Sequence, residues 1–563
     1  MSDDALYLGL DLSTQQLKGI IVNSSLDHVF HTKVEFDGDL PEYKTVKGVY
    51  NNPSEKEVQA PVVMWLDALD LLFKRIVDSG KVDLSKLRGI SGACQQHGSV
   101  FWNSRAEAAL ADLSPSTTLK NNLQTSLSWQ LSPNWQDHST AKECKQFEEA
   151  IGGKEKLAEV TGSGPHRRFT GPQILRLKHK SPELYKATDR IALVSSFIAS
   201  VLAGKFVGID ISDVCGMNLW DLEKKEWSPK LLELIAGDDE TVEQVKHKLG
   251  PVEPKPKSIG NISSYFTEKY GVSDKCSIVP FTGDNPGTIL SMPLETNDVI
   301  ISLGTSTTAL VVTEKYVPSA MYHMFTHPTG KGYMGMLCYC NGALAREQVR
   351  DEINKKYHVS DPQSWDKFNE FVLNRPILGD NPDECSIGFY FPLSEIIPDC
   401  PSTLKRFVWK KGQSEPQDVT QPSTASASEW QTPEDDALRI LESQALSIRY
   451  RLAPMLTTES KTPRKVYFVG GTSRNDAICE ALSRVLMPSE GSFRLDLADA
   501  CAKGAANLAV FGASATTDTW EHFISSKYNY STTQSVGGHH TQDRYAAAID
   551  TFTKSEKYLH EHL

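Results

Sequence analysis

The sequence has no apolar run near the roughly 18 residues that a membrane helix needs, no Cys-X-X-Cys pair and no excess of positive charge. Each absence removes a class. A membrane span is not expected. The ten cysteines are scattered, with Cys338 and Cys340 the only close pair, so neither a zinc site nor a disulfide framework is indicated, and reduced thiols in a cytoplasmic protein are the plain expectation. The acidic start Met-Ser-Asp-Asp enters a strand almost at once, which reads as no secretory or transit segment. A formal net charge of -12 is the wrong sign for a nucleic-acid partner, although a few local donors can still hold a small anion.

Two familiar phosphate-binding signatures are missing as well. Every Gly-Lys pair is followed by a residue other than Ser or Thr, so there is no Walker A loop, and neither an HRD nor a DFG triplet occurs. Composition is otherwise that of an ordinary globular protein, 39% hydrophobic and 23% charged, and 563 residues are too many for one core. The stretch 410–436, rich in Ser, Thr, Pro, Gln and Glu, reads as a surface insertion without chemistry.

What is present is a repeated design. Leu6 to Val22 reads as strand, polar turn, strand, and Val299 to Val312 reads the same way about 290 residues later. Each hairpin carries a Leu-(Ser/Gly)-Thr tip, which indicates a duplicated α/β fold. Leu87–Cys94 and Ser99–Trp102 read as strands around the turn Gln95-Gln-His-Gly98. Cys276 to Gly283 reads as one strand ending in Asp284-Asn-Pro-Gly287, and Lys465 to Ser473 as a strand running into a glycine turn before a helix at Asn475 to Leu486. A terminal helix is expected over Ala546 to Leu559. Backbone amides and hydroxyls in such tips suit phosphate oxygens, and Asp11 at the end of the first strand suits water-mediated Mg²⁺. For each hairpin alone, a tight β-turn without a ligand is the competing reading.

Taken in order, Asp11-Leu-Ser-Thr-Gln-Gln, Gly98, Gly283-Asp-Asn, Leu303-Gly-Thr-Ser-Thr, Gly470-Gly-Thr-Ser-Arg-Asn475 and Ala498-Asp-Ala-Cys-Ala-Lys-Gly-Ala-Ala506 resemble the FGGY carbohydrate kinases of the actin/Hsp70/hexokinase superfamily. The resemblance implies two ribonuclease-H-like α/β lobes with a central cleft. Residues 1–287 would form the sugar lobe with the first phosphate hairpin, and 288–563 the ATP lobe carrying the variable insertion near 410–436. Within the family the chain is most similar to eukaryotic, fungal members acting on D-xylulose, through Gln95-Gln-His-Gly98, Arg168-Phe-Thr-Gly171, Ile211 to Trp220 and Gly388-Phe-Tyr-Phe-Pro392.

The resemblance also implies roles for individual residues. Asp284 would be the general base, and His97, Arg168, Asp284 and Asn285 would bind sugar. Asp11, Thr14, Gly304, Thr305, Ser306, Gly470, Gly471 and Asn475 would bind ATP, with Asp11 also serving Mg²⁺. Asp137 and Asp213 are weaker sugar-side candidates, and Trp135-Gln-Asp-His-Ser139 departs from the expected pattern. The implied reaction converts ATP and D-xylulose to ADP and D-xylulose 5-phosphate, for the pentose phosphate pathway. Ribulose, fuculose, gluconate or glycerol as substrate, or a chaperone-type ATPase, are the alternatives. Oligomeric state is open.

Overall fold

The computed structural model describes residues 4–378, 380–381, 383–421, 430–495, 499–514, 517–538 and 540–563. Residues 422–429 of the expected insertion and Ala498 of the alanine-rich motif lie outside the described residues. The chain forms two compact units. The first comprises Met1–Leu294, Pro318–Met334 and Ala498–Tyr528, and the second Glu295–Val317, Gly335–Leu497 and Asn529–Leu563. Among the described residues no helix is long and apolar enough to cross a membrane.

The first unit is built on a mixed sheet. The strands Leu6–Leu12 and Gln16–Asn23 form the expected hairpin, extended by His28–Glu35. On its other side Leu6–Leu12 pairs in parallel with Leu87–Cys94. The crossover runs through the helix Val62–Asp78, whose Val62, Met64, Trp65, Leu66, Leu69, Leu72, Phe73 and Ile76 are all buried. Full burial of such side chains stabilises by about 1.5–3 kcal/mol each, before the entropy of ordering them is set against it.

Cys276 to Gly283 is not one strand. It is two short ones, Ser277–Ile278 and Thr282–Gly283, both parallel to Leu87–Cys94. Pro280 between them has no N–H for the ladder, and its carbonyl instead accepts from Ser91 Oγ at 2.9 Å.

The alanine-rich segment forms the helix Ala500–Ala513, which lies directly on this sheet. A Cβ on Gly9 would sit 2.1 Å from the Ala502 carbonyl oxygen, and one on Gly504 would sit 1.9 Å from the Gly287 carbonyl oxygen. Only glycine lets backbone approach backbone this closely.

The second unit repeats the design. Val299–Leu303 and Thr307–Thr313 form its hairpin, and Val299–Leu303 pairs in parallel with Val466–Val469. Val466–Val469 is parallel to Ser492–Arg494, which is antiparallel to Gln534–Val536. The helix Asp476–Leu486 starts one residue later than expected because Asn475 is its cap: Asn475 Oδ1 accepts from the Ile478 amide at 3.2 Å. The terminal helix is Ala546–Glu561, tied in by Arg451 NH2 donating to Glu556 at 2.6 Å.

The described flanks of the 410–436 stretch are integrated into the unit. Gln417–Asp418 adds a strand to Thr403–Lys410. Asp436 is fully buried and takes a bidentate Arg406 at 2.8 and 2.7 Å, together with Tyr390 OH at 2.7 Å and Trp430 Nε1 at 3.0 Å.

Candidate active site

Three neighbouring parallel strand ends bring the chemistry of the first unit together. Asp11 lies near the end of Leu6–Leu12, paired with Ala93 on one side and Lys18 on the other. Leu87–Cys94 runs straight into Gln95, Gln96 and His97, and Thr282–Gly283 runs straight into Asp284. Loops beyond the carboxyl ends of parallel strands are where α/β sheets place ligands. Residues far apart in sequence become neighbours because the register aligns Asp11 with Ala93, and Gly283 with Cys94.

Asp284 is the first residue of the short helix Asp284–Ile289. Its Oδ1 accepts from the Asn285 backbone amide at 2.8 Å and from Asn285 Nδ2 at 3.1 Å. Burial pushes its carboxyl up to about 6, opposed by the Asn285 donors and by the charge of Arg168.

The same Asn285 Nδ2 also donates to Gln96 Oε1 at 3.0 Å. The Asn285 amide group is thereby oriented, with both hydrogens of its nitrogen engaged. That narrows the expected role, in which this side chain could either donate or accept. Gln96 Nε2 reaches toward Asp213 Oδ1 at 3.5 Å, and Asp213 Oδ2 accepts from Ser195 Oγ at 2.5 Å. Asp213 is buried, and burial lifts it to about 7. It stands behind Gln96 as support.

His97 is buried at φ +73°, a conformation that non-glycine residues seldom adopt. It is held there by Nδ1 donating to the Gly216 carbonyl at 3.1 Å and by stacking on Phe169, with centroids 4.4 Å apart. Burial, then the Arg168 charge, hold the imidazole well below its ordinary pKa. It is therefore neutral, with Nε2 as an acceptor.

Arg168 NH2 donates to His323 Nε2 at 3.1 Å, and its guanidinium carbon lies 5.7 Å from the centre of the Phe169 ring. Its neighbour Arg167 has an exposed side chain, and the Arg167 carbonyl serves as acceptor for Thr140 and Gln173. Asp137 belongs to the framework. Its Oδ2 accepts from the Val58 amide, and its Oδ1 from Ser139 N, Ser139 Oγ and Gln173 Nε2.

On the phosphate side of this unit, Asp11 is 8% exposed, and its Oδ1 is buried with no hydrogen-bond partner among the described residues. Burial first, and then the charge of Asp284, raise it to about 7, with Lys18 opposing. Lys18 itself is paired to Asp499. A buried carboxylate with an oxygen left over, beside a second carboxylate, is a donor set that fits one hydrated divalent cation. Thr14 Oγ1 accepts from Trp135 Nε1 at 2.9 Å, so the hydroxyl's own proton is directed elsewhere.

In the second unit, the hairpin tip Gly304-Thr305-Ser306 is anchored from behind. The Gly304 carbonyl accepts from the Ala343 amide at 2.9 Å, and that of Thr305 from the Gly342 amide at 3.1 Å, at the start of the helix Ala343–Lys356. Gly470, at φ +88°, packs against Leu303, where a Cβ would lie 3.1 Å from the Leu303 carbonyl oxygen. The structure thus brings the glycine turn beside the tip. Gly471 is exposed next to it. The side chain of Asn475 is engaged twice, as the helix cap and as donor to Asn369 Oδ1 at 2.9 Å.

Sequence reasoning missed Gln96, Lys18 and His323. Gln96 and Lys18 lay inside recognised motifs, and their polar character at strand ends was the available signal. His323 had none, since it arrives from the segment Pro318–Met334.

These features define an α/β kinase-type architecture with a carboxylate site at its strand ends, and the chain belongs to the FGGY family of carbohydrate kinases. Residues 131–291 match the N-terminal domain model of that family, and residues 299–513 match its C-terminal domain model. The chain is 48% identical to the xylulose kinase of Schizosaccharomyces pombe, over 93% of this chain and 93% of that protein. It is 45% identical to D-xylulose kinase A of Aspergillus niger, over 98% of each. Among solved structures it is similar in fold to a xylulose kinase from Rhodospirillum rubrum, with TM-score 0.74 and 14% identity over 99% of both chains. It is also similar to a glycerol kinase from Plasmodium falciparum bound to ADP, with TM-score 0.71 and 13% identity over 99% of this chain and 98% of that one.

Proposed function

We propose that this chain transfers the γ-phosphoryl group of ATP to D-xylulose, giving ADP and D-xylulose 5-phosphate, with Asp284 as the base. The observation that carries the proposal is the state of Asp284. One oxygen is tied to two Asn285 donors, and the carboxyl is raised to about 6 beside the carboxylate of Asp11. A base with a pKa near the working pH is both ionised and able to take a proton. The family and the D-xylulose kinases among its relatives supply the substrate class.

In this reading the sugar is bound within residues 1–287 and the nucleotide by residues of 288–563, together with Asp11 and Thr14. His97 Nε2 and Asn285 Oδ1 accept from sugar hydroxyls, and the Arg168 guanidinium donates to a sugar oxygen. Asp284 Oδ2 receives the proton of the attacking hydroxyl as its oxygen bonds to the γ-phosphorus and the bond to the ADP oxygen breaks. The amides of Gly304, Thr305 and Ser306 and the hydroxyl of Thr14 hold phosphate oxygens. Gly470 and Gly471 border the adenosine, and Asn475 fixes the helix beside it. Asp11 would hold Mg²⁺ through water, and the positive charge of the ion would supply neutralisation of the phosphates there. The ten scattered cysteines, with no Cys-X-X-Cys pair, suit a cytoplasmic enzyme.

Coupled ADP release with D-xylulose, D-ribulose, L-fuculose, gluconate and glycerol tests the assignment. D-Xylulose is expected to give the highest kcat/KM. Turnover of another member of the panel with none of D-xylulose would overturn it.

A further inference from the structure

His323 is fixed on both sides of its ring. Nε2 lies 3.1 Å from Arg168 NH2, and Nδ1 lies 3.0 Å from Ser163 Oγ. An arginine only donates, so Nε2 must be the acceptor. A neutral ring then carries its proton on Nδ1 and donates it to Ser163 Oγ. Neutrality follows from the surroundings: His323 is buried, and desolvation followed by the neighbouring His166 and Arg168 holds it well below its ordinary pKa.

The serine is itself held in place. The Gly162 carbonyl accepts from the Met324 amide at 2.7 Å, so the loop carrying Ser163 is stitched to the strand His323–Thr326. Asn218, at φ +55°, donates from Nδ2 to Thr161 Oγ1, to the Ser163 carbonyl and to the Gly164 carbonyl. His323 also packs against His166 and Phe169, with centroid separations of 4.4 and 5.4 Å.

We propose that His323 is a positioning residue for substrate recognition: through the Ser163–His323–Arg168 chain it sets the direction in which the Arg168 guanidinium donates to the sugar. This rests on the sugar-binding role of Arg168 proposed above. Arg168 fixes the tautomer, since a guanidinium only donates, and Ser163 anchors the ring, so that Nε2 meets the guanidinium along one line. A flip to the other tautomer would set an N–H against a guanidinium N–H. Arg168 would then turn away from that contact and lose its aim.

Three variants and one spectrum test the chain. His323→Leu removes the acceptor, His323→Gln restores an amide oxygen near the place of Nε2, and Ser163→Ala removes the anchor of the ring. His323→Leu is expected to raise the KM for D-xylulose about 10-fold or more, the scale of one charge-assisted hydrogen bond. The KM for ATP and kcat should stay within about twofold. His323→Gln should recover most of the loss, and Ser163→Ala should fall between the two. In the ¹⁵N spectrum of the wild-type protein, His323 should show Nε2 unprotonated and Nδ1 protonated. A wild-type sugar KM in His323→Leu, equal impairment of His323→Gln and His323→Leu, or a proton on Nε2 would each overturn the proposal. If the wild-type protein turns over no sugar in the panel, the functional assignment fails instead, and the spectrum still decides the tautomer chain.

Discussion

Asn285 donates twice to a single oxygen of Asp284, from its backbone amide at 2.8 Å and from Nδ2 at 3.1 Å. The two donors converge on Oδ1, which leaves Oδ2 outside this pair of bonds. One asparagine thus stabilises the ionised form of Asp284 and orients it. Gln96 does the same for Asn285 in turn, by accepting from Nδ2 at 3.0 Å.

Replacing the base should separate binding from chemistry. Asp284→Asn keeps shape and hydrogen-bonding capacity but takes no proton. Its kcat is expected to fall by about 10²–10⁴-fold, while D-xylulose and ATP still bind when measured by calorimetry. Retained turnover would remove Asp284 from the mechanism.

The rate should carry an acid limb near pH 6. Asp284 has a raised pKa, so it is protonated and inactive as a base below about 6 and ionised above it. Measured at saturating ATP and Mg²⁺, kcat/KM for D-xylulose should drop tenfold per pH unit below that point. Asn285→Asp keeps the backbone donation but exchanges the Nδ2 donation for a like charge, which disfavours ionisation of Asp284. The limb should move upward by about one unit or more. An unmoved limb would disconnect it from this pair.

The proposed Mg²⁺ role of Asp11 makes the metal requirement the quantity to measure. Asp11→Ala should raise the Mg²⁺ concentration for half-maximal rate by about 10-fold or more. D-Xylulose binding without nucleotide should be unchanged. A Mg²⁺ titration of initial rates reads the first quantity and calorimetry the second. An unaltered Mg²⁺ dependence would mean that Asp11 does not serve the ion.

Asn475 allows a helix cap to be told apart from a nucleotide contact. Asn475→Ala loses the cap and should cost about 1 kcal/mol of stability. Asn475→Asp keeps an acceptor for the Ile478 amide, so stability should hold, but it gives up the donor to Asn369. If Asn475 acts only by fixing the helix, the KM for ATP in Asn475→Asp stays within about threefold of wild type. A large rise with unchanged melting would instead make Asn475 a direct ligand.

The hairpins, the Gly283-Asp284 junction and the glycine turn were legible in the sequence because each is local. Strand alternation and turn residues are written within a dozen positions. The features that stayed hidden depended on distant partners. Asp137 looked like a sugar-side carboxylate until the amide of Val58 and the side chain of Gln173 were seen to occupy it. Asp436 lay in a polar stretch that reads as surface, yet Arg406 and Tyr390 draw it into the interior. The strand expected over Cys276 to Gly283 failed at Pro280, where a single missing N–H outweighed the apolar pattern. His323 could not be anticipated at all, since its partners lie about 155 residues away at Arg168 and 160 away at Ser163.

The contact between Gly9 and the helix Ala500–Ala513 has a consequence for how the protein is made. The first strand to leave the ribosome is covered by a helix encoded almost five hundred residues later. At about 5–20 residues per second, the sheet holding Asp11 and Asp284 waits on the order of tens of seconds for its last layer. During that interval its glycine-lined face stays open to water and to other chains. A product released before residue 499 would keep that face open permanently, so truncated chains should aggregate or bind chaperones even though every residue from 1 to 294 is present.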